Sequence, residues 1–249
     1  MPLFDASSGV GEFLTAFADD EHLIGSHHAW WIGIAPFLEE DLAFCSIAQD
    51  ELGHALALYD LVTDDIDQFA LRRDRSAYRS CDFVEMVMPD WADTLVRHWL
   101  YDTAEHLRWE ALADSSSVEV RGIAARALTE ESFHVKHARL MVSRSVQSEQ
   151  ARNIVIDSLQ RLLPHSATMW ASVAGEAEAL TSGVTTMSSE QLAEQYAQAL
   201  RNDVNEWGLD VPIVLEPTGQ SHRLERHHDF DDFYASLNLV MDLDPTANW

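Results

Sequence analysis

Apolar residues recur at three- and four-residue intervals through most of this chain, the period of helices that bury one face. From about residue 11 to 31, Phe13, Leu14, Phe17, Leu23, Ile24 and Trp30 keep that spacing until Gly33 and Pro36 interrupt it. The pattern resumes over about 38–62 and ends at Asp64-Asp65. Residues 63–89 are mixed and charged, with Arg72, Arg73, Arg75 and Arg79, and read as a long connection holding one short helix. Asp90 predicts the N-cap of a third helix reaching about residue 114. After the Ser115-Ser116-Ser117 break, Ser116 with Glu119 makes a capping box that opens a fourth helix to about residue 145.

Four long helices with one long middle connection predict a four-helix bundle in which the chain crosses over between the second and third. Downstream, helices are expected over 147–163 and 166–180, separated by Pro164. Ser188 with Gln191 opens another to about Trp207, Pro212 and Pro217 mark an extended segment, and a last helix covers 230–241. No hairpin signal or short repeat occurs, so the expected class is all-α. The 249 residues are expected to form one domain, with the bundle over about 11–146 and a helical extension over about 147–249.

Charge narrows the choice of function. Lys plus Arg number 16 against 42 Asp plus Glu, a formal charge of −26, and phosphate contacts need clustered cations, so a nucleic-acid binder is excluded. A solvated acidic surface accounts for most of the excess. Cys45 and Cys81 show no C-x-x-C spacing, which argues against a disulfide scaffold or a thiolate zinc site. There is no membrane-spanning run and no basic start followed by an apolar stretch, so the expected location is cytoplasmic.

The chemistry-bearing residues are two copies of Glu-x-x-His, Glu51-Leu52-Gly53-His54 and Glu131-Ser132-Phe133-His134. Residues three apart share a helix face, so each motif aims a carboxylate and an imidazole at one point. One such motif arises easily by chance; the spacing of other acids makes the pair informative. In the first helix the candidates are Asp19, Asp20 and Glu21, with Glu21 thirty residues before Glu51. In the third, Asp102 and Glu105 share a face, with Asp102 twenty-nine residues before Glu131. Near-equal offsets are what two antiparallel helix pairs produce. Glu21, Glu51, His54, Asp102, Glu131 and His134 would form an oxygen-rich set suited to two ions of iron or manganese.

Each imidazole then needs a partner for its second nitrogen. Asp50 and Glu130 precede the motif glutamates, but adjacency turns them about 100° around the helix. His98 shares a face with Asp102 and Glu105. His27 and His28 read as packing or surface groups, and His106, His137, His165, His222, His227 and His228 belong to no clear constellation. Neither a nucleophile elbow nor a phosphate-binding glycine loop is present.

Asp20-Glu21-His22-Leu23-Ile24-Gly25, Gln49-Asp50-Glu51-Leu52-Gly53-His54 and Glu130-Glu131-Ser132-Phe133-His134 resemble the metal-binding stretches of the catalytic members of the phenylacetyl-CoA epoxidase family. Trp91-Ala92-Asp93 and Leu100-Tyr101-Asp102 extend the resemblance, which covers roughly residues 20–140, and single out Asp102 over Glu105. Residues 224–249, ending Asp-Pro-Thr-Ala-Asn-Trp, look more like the structural partner of such catalytic chains, which generally lacks a complete ligand set. The resemblance implies a ferritin-like di-iron oxygenase that uses O2 on an aromatic acyl-CoA, such as phenylacetyl-CoA. It also implies an electron-donating reductase and association with ferritin-like subunits, homo- or hetero-oligomeric. A non-catalytic scaffold subunit is the alternative. Arg72 and Arg73, in the densest basic group, are the expected contacts for the CoA phosphates.

Overall fold

The computed structural model describes residues 1–216 and 221–244. The long helices are α1 (Gly9–Ala29), α2 (Leu38–Asp60), α5 (Trp91–Ala113), α6 (Val118–Ser145), α7 (Glu149–Ser166) and α9 (Ser189–Glu206). Shorter ones are α3 (Ile66–Leu71), α4 (Asp82–Glu85), α8 (Glu176–Thr181), α10 (Ser221–Leu224) and α11 (Phe230–Leu243), with 3-10 turns at Arg75–Ala77 and Ala167–Trp170. No strand occurs among the described residues. Helices α1, α2, α5 and α6 form a ferritin-like bundle, α1 against α2 and α5 against α6, with α7 and α9 along α5. No helix is long and apolar enough to cross a membrane among the described residues.

Local chemistry sets most of the boundaries. Ser8 caps α1 by accepting from the Gly11 amide, Asp90 caps α5, and the Ser188/Gln191 box opens α9. The start of α6 departs from expectation, because Ser117 rather than Ser116 is the cap. Ser116 is held by the α8–α9 loop instead, its amide donating to the Gly183 carbonyl at 2.7 Å and its hydroxyl to the Ser182 carbonyl at 2.8 Å. Pro164 does not end α7, which runs two residues beyond it. The helix expected over 166–180 is divided into a 3-10 turn and α8, where Gly175 lies so close to α1 that a Cβ would stand 1.5 Å from the Gly9 carbonyl oxygen.

The crossover connection holds two short helices rather than one. Its backbone donors are satisfied from outside: Arg79 donates to the Asp19 carboxylate at 2.7 Å and Cys81 to the Asp20 carboxylate at 2.9 Å, so α1 dictates its path. The described part of the C-terminal segment is anchored likewise. Arg223 and Arg226 are buried, and the His27 ring stacks on Phe233 of α11 at 3.7 Å. Pro217 and residues 245–249, including most of the Asp-Pro-Thr-Ala-Asn-Trp stretch, lie outside the described residues.

Two apolar clusters fill the interior. One gathers Leu14, Phe17, Leu58, Trp109, Val120 and Ala124; the other gathers Leu23, Ile24, Leu95, Trp99, Ala138 and Val142 with side chains of α7 and α9. Along α1 the first cluster reaches Ala18 and the second starts at Leu23; along α6 they stop at Ala127 and resume at Ala138. Between them lies a layer of buried polar side chains.

Candidate metal centre

That layer holds Glu21 from α1, Glu51 and His54 from α2, Asp102 and Glu105 from α5, and Glu131 and His134 from α6, all buried. Three consecutive acids on α1 face three different neighbours, since each step turns about 100°. Asp19 accepts from the Tyr59 hydroxyl at 2.6 Å and from Arg73. Asp20 meets Arg223 at 3.0 and 3.2 Å and Arg108 at 2.8 Å. Only Glu21 points into the layer. Gly25, one turn on, lets α2 come close: a Cβ there would lie 3.1 Å from Glu51 Cβ and 3.0 Å from Leu52 Cγ.

The donor atoms converge. His54 Nδ1 is 3.3 Å from Glu21 Oε2, 3.2 Å from Glu105 Oε1 and 3.9 Å from Glu131 Oε1, while His134 Nδ1 is 2.7 Å from Glu131 Oε1. Glu21, His54 and Glu105 offer atoms within 4.8 Å of one another, and so do Glu51, Asp102 and Glu105. Glu105 is thus common to both groups. The expectation that Asp102 alone serves from this helix needs that addition, because a further turn of α5 brings Glu105 to the level of Glu21 and His54. Trp109 Nε1 donates to Glu105 at 2.8 Å and the Tyr101 hydroxyl to Glu21 at 2.6 Å.

Asp50 and Glu130 serve the imidazoles in a crossed arrangement. His54 Nε2 meets Glu130 on α6 at 2.9 Å, and His134 Nε2 meets Asp50 on α2 at 3.3 Å. These two pairs also show that α2 and α6 run antiparallel. The 100° turn that separates each acid from its own motif aims it at the neighbouring helix. His28 and His137 carry more than the sequence suggested: His28 Nδ1 is 2.7 Å from Glu51 Oε2, and His137 joins His98 at 3.1 Å to Glu40 at 3.2 Å. His98 Nδ1 stands 2.9 Å from Asp102 Oδ2. His28 lies seven residues after Glu21, a same-face spacing that the sequence already contained.

Arg73 turns inward. Its guanidinium is largely buried, pairs with Asp19 and lies over the Phe69 and Tyr78 rings at 4.2 and 4.3 Å. Arg72 spans to Asp242 at 2.6 Å and Arg75 to Asp231 at 2.6 Å, so the cluster ties the crossover connection to α1 and α11. A groove of about 1070 Å³ between the 3-10 turn, α8 and α9, lined by Glu176, Glu190, Glu194 and Arg201 among others, shares no residue with the carboxylate layer.

Five buried carboxylates against two imidazoles leave the layer short of positive charge. Burial, with Glu105 beside them, pushes the Glu21, Glu51 and Glu131 carboxyls well above their usual range, and burial pushes Asp102 up to about 7. Burial disfavours charge on His54, yet bonds to Glu105 and Glu21 raise it to about 12; His134 is raised to about 9 by Asp50, Asp102 and Glu51. Hydrogen bonds from His54 hold Glu105 down at about 2 against its burial. Glu51 Oε1, Asp102 Oδ1, Glu105 Oε2 and Glu131 Oε2 have no hydrogen-bond partner, and the close approaches of His134 Nδ1 to Glu131 Oε1 and of His98 Nδ1 to Asp102 Oδ2 are not aligned as hydrogen bonds. Buried polar atoms are rarely left so. Their convergence fits cations bound by oxygen and imidazole, and does not fit a closed thiolate zinc site.

These shifts fix a pH dependence. All but Glu105 have folded-state values above the unfolded ones, so their contribution to metal-free stability is complete below the unfolded values and is lost as pH rises through the folded ones. Glu105 acts in the opposite sense, and only as pH falls toward about 2. Burial holds His22, His27, His28, His98 and His137 below their usual values, and these act in the opposite sense up to about pH 7. The melting temperature of metal-free protein should therefore fall between about pH 7 and about pH 9, and bound Mn2+ should flatten that slope. Thermal melts with and without the ion measure this, and a metal-free melting temperature that climbs over the interval would contradict it.

Residues 5–249 match a family model described as phenylacetic acid catabolic protein. The chain is also 30% identical over 114 residues to one of the subunits of the 1,2-phenylacetyl-CoA epoxidase of Escherichia coli (strain K12). That stretch covers 44% of this chain and 46% of the relative, so the likeness spans less than half the length of each.

Proposed function

On the premise that the chain belongs to the phenylacetic acid catabolic protein family, we propose that it is the di-iron oxygenase subunit of an epoxidase complex, inserting one atom of O2 into the ring of an aromatic acyl-CoA. The observation that carries this reading is the buried layer of carboxylates and imidazoles whose inward oxygens lack hydrogen-bond partners. Glu21, Glu51, His54, Asp102, Glu105, Glu131 and His134 would hold two ions. Bound iron would supply the redox chemistry with O2, which side chains of this kind cannot.

The chain's own residues have separate tasks. Glu130 and Asp50 fix the imidazole orientations from the opposite helix, and Tyr101 and Trp109 fix one oxygen each of Glu21 and Glu105. The apolar clusters above and below keep bulk water from the layer. One oxygen atom enters the ring and the other leaves as water, which takes two protons and two electrons, the electrons from a separate reductase. Anaerobic iron loading followed by O2 uptake with phenylacetyl-CoA tests the reading. About two irons per chain and substrate-dependent uptake are expected, both lost in His134→Ala with the fold intact. Metal-free protein unaffected by that change would refute it.

The likeness to one part of a multi-subunit epoxidase favours one other reading, a scaffold that binds a catalytic homologue. Recovery of a similar-sized ferritin-like chain that alone carries the activity would select it.

A further inference from the structure

The three residues that lead into α11, His227, His228 and Asp229, take no part in the carboxylate layer, yet they converge on one point. Each offers a donor atom, and these atoms all lie within 4.8 Å of one another. His227 Nδ1 is 3.4 Å from Asp229 Oδ2 and His228 Nε2 is 3.2 Å from Asp229 Oδ1, so one carboxylate meets an imidazole at each oxygen. Ligands about 2.0–2.1 Å from a tetrahedral Zn2+ stand about 3.3 Å from one another, which is the spacing these atoms already have.

The fold sets that spacing before any ion arrives. Asp229 Oδ2 accepts from the Val87 amide at 2.9 Å, and the His227 amide donates to Glu85 Oε2 at 2.6 Å, so both are fixed to the end of α4 and the residues after it. Protonation leaves a gap between them. The Asp229 amide donates to His227 Nδ1 at 3.3 Å, so that nitrogen is an acceptor and carries no proton. An unprotonated nitrogen and a carboxylate oxygen therefore face each other with no hydrogen between them, which is unfavourable until a cation sits there. The amide bond to Nδ1 is long and yields readily to a metal.

The donor set chooses the ion. Two imidazoles and one carboxylate suit a borderline cation such as Zn2+, whereas the oxygen-rich layer suits manganese or iron. Asp82 on α4 acts on His227 electrostatically, and Asp231 and Asp232 stand in the first turn of α11, so further negative charge offsets the positive end of that helix. We propose that His227, His228 and Asp229 form a second metal site, which takes one Zn2+ and leaves its fourth position to water. The His228 side chain is 82% exposed, so the ion enters directly from solvent. Once bound, it would stiffen the entry to α11, the helix whose Phe233 stacks on His27. The site does not depend on the metal reading of the layer.

Equilibrium dialysis of the full chain against Zn2+ counts the ions. His228→Ala and Asp229→Asn should each weaken one zinc per chain by on the order of 100-fold with unchanged helix content, whereas His106→Ala, at another solvent-facing imidazole, should leave it alone. His134→Ala, which strips a ligand from the layer, should keep that same ion, so subtraction tells the two sites apart. With Cu2+ as probe in His134→Ala, paramagnetic resonance should show coupling to two nitrogens, reduced to one when His228→Ala is added. Hydrogen exchange in the first turns of α11 should slow when Zn2+ is added to the parent and not when it is added to His228→Ala. A zinc count unchanged by His228→Ala, loss of the ion with His134→Ala instead, or equal weakening by His106→Ala would each overturn the proposal.

Discussion

Glu51→Gln and Glu131→Gln should each raise the melting temperature of the metal-free protein at about pH 8 while lowering its capacity for iron. The two effects share one cause. Both carboxyls are fully buried and pushed well above their usual range by burial, with Glu105 and Asp102 adding repulsion. Folding at that pH must therefore either take up protons or bury uncompensated charge, and each proton costs about 1.4 kcal/mol per pH unit above the unfolded value. A neutral amide of the same shape removes that cost. The expected gain is roughly 2–4 kcal/mol per site, or roughly 5–15 °C in a chain of this size. Iron bound after anaerobic loading should fall from about two ions per chain to one or none. Calorimetry and metal analysis on the same preparations decide the matter. A metal-free variant less stable than the parent would mean that these carboxylates hold the fold rather than a cation.

The second large effect is expected at Arg223. This buried side chain makes two contacts to Asp20 and donates to the Met169 carbonyl at 2.7 Å and the Arg79 carbonyl at 2.9 Å, joining α10, α1, the crossover connection and the 3-10 turn. Burial alone would raise the Asp20 carboxyl, but Arg223 and Arg108 keep it below its usual value, so it is an anion that depends on both. Arg223→Met leaves Arg108 as its remaining cation. Breaking a buried pair from one side costs about 3–5 kcal/mol, which corresponds to a drop of roughly 10 °C. Asp20→Asn in the same chain should recover part of the loss, since the stranded charge is gone. Arg72→Met, which breaks a partly exposed pair with Asp242, should change stability by less than about 1 kcal/mol. Iron affinity should fall with Arg223→Met as well, because Asp20 and Glu21 are consecutive on α1. Equal melting temperatures for Arg223→Met and Arg72→Met would show that α10 does not anchor the bundle.

Much of this was legible in the chain. Helix periods and cap residues are local, and Asp90 and Ser188 act where local chemistry places them, whereas the caps at Ser8 and Ser117 emerge only from the structure. The two Glu-x-x-His motifs and the acids some thirty residues upstream are also local facts, because spacing on a helix and distance from a turn fix which side chains share a level. Partnerships between helices were less legible. Asp50 and Glu130 could be named as candidates, yet their crossed assignment follows from the antiparallel approach of α2 and α6. Glu105 was set aside in favour of Asp102, although both share a face and a one-turn step decides which groups each meets.

The sequence by itself determined an all-α bundle, its crossover and the levels at which its acids and imidazoles lie, since these depend on period and spacing along one helix. Tertiary structure decided which of three adjacent acids, Asp19, Asp20 and Glu21, faces the layer, and it turned Arg73 from a surface cation into a buried partner of Asp19. A side chain's neighbour across an interface depends on the rotation and depth at which two helices meet, and that is set by the packing of the whole core rather than by any stretch within it.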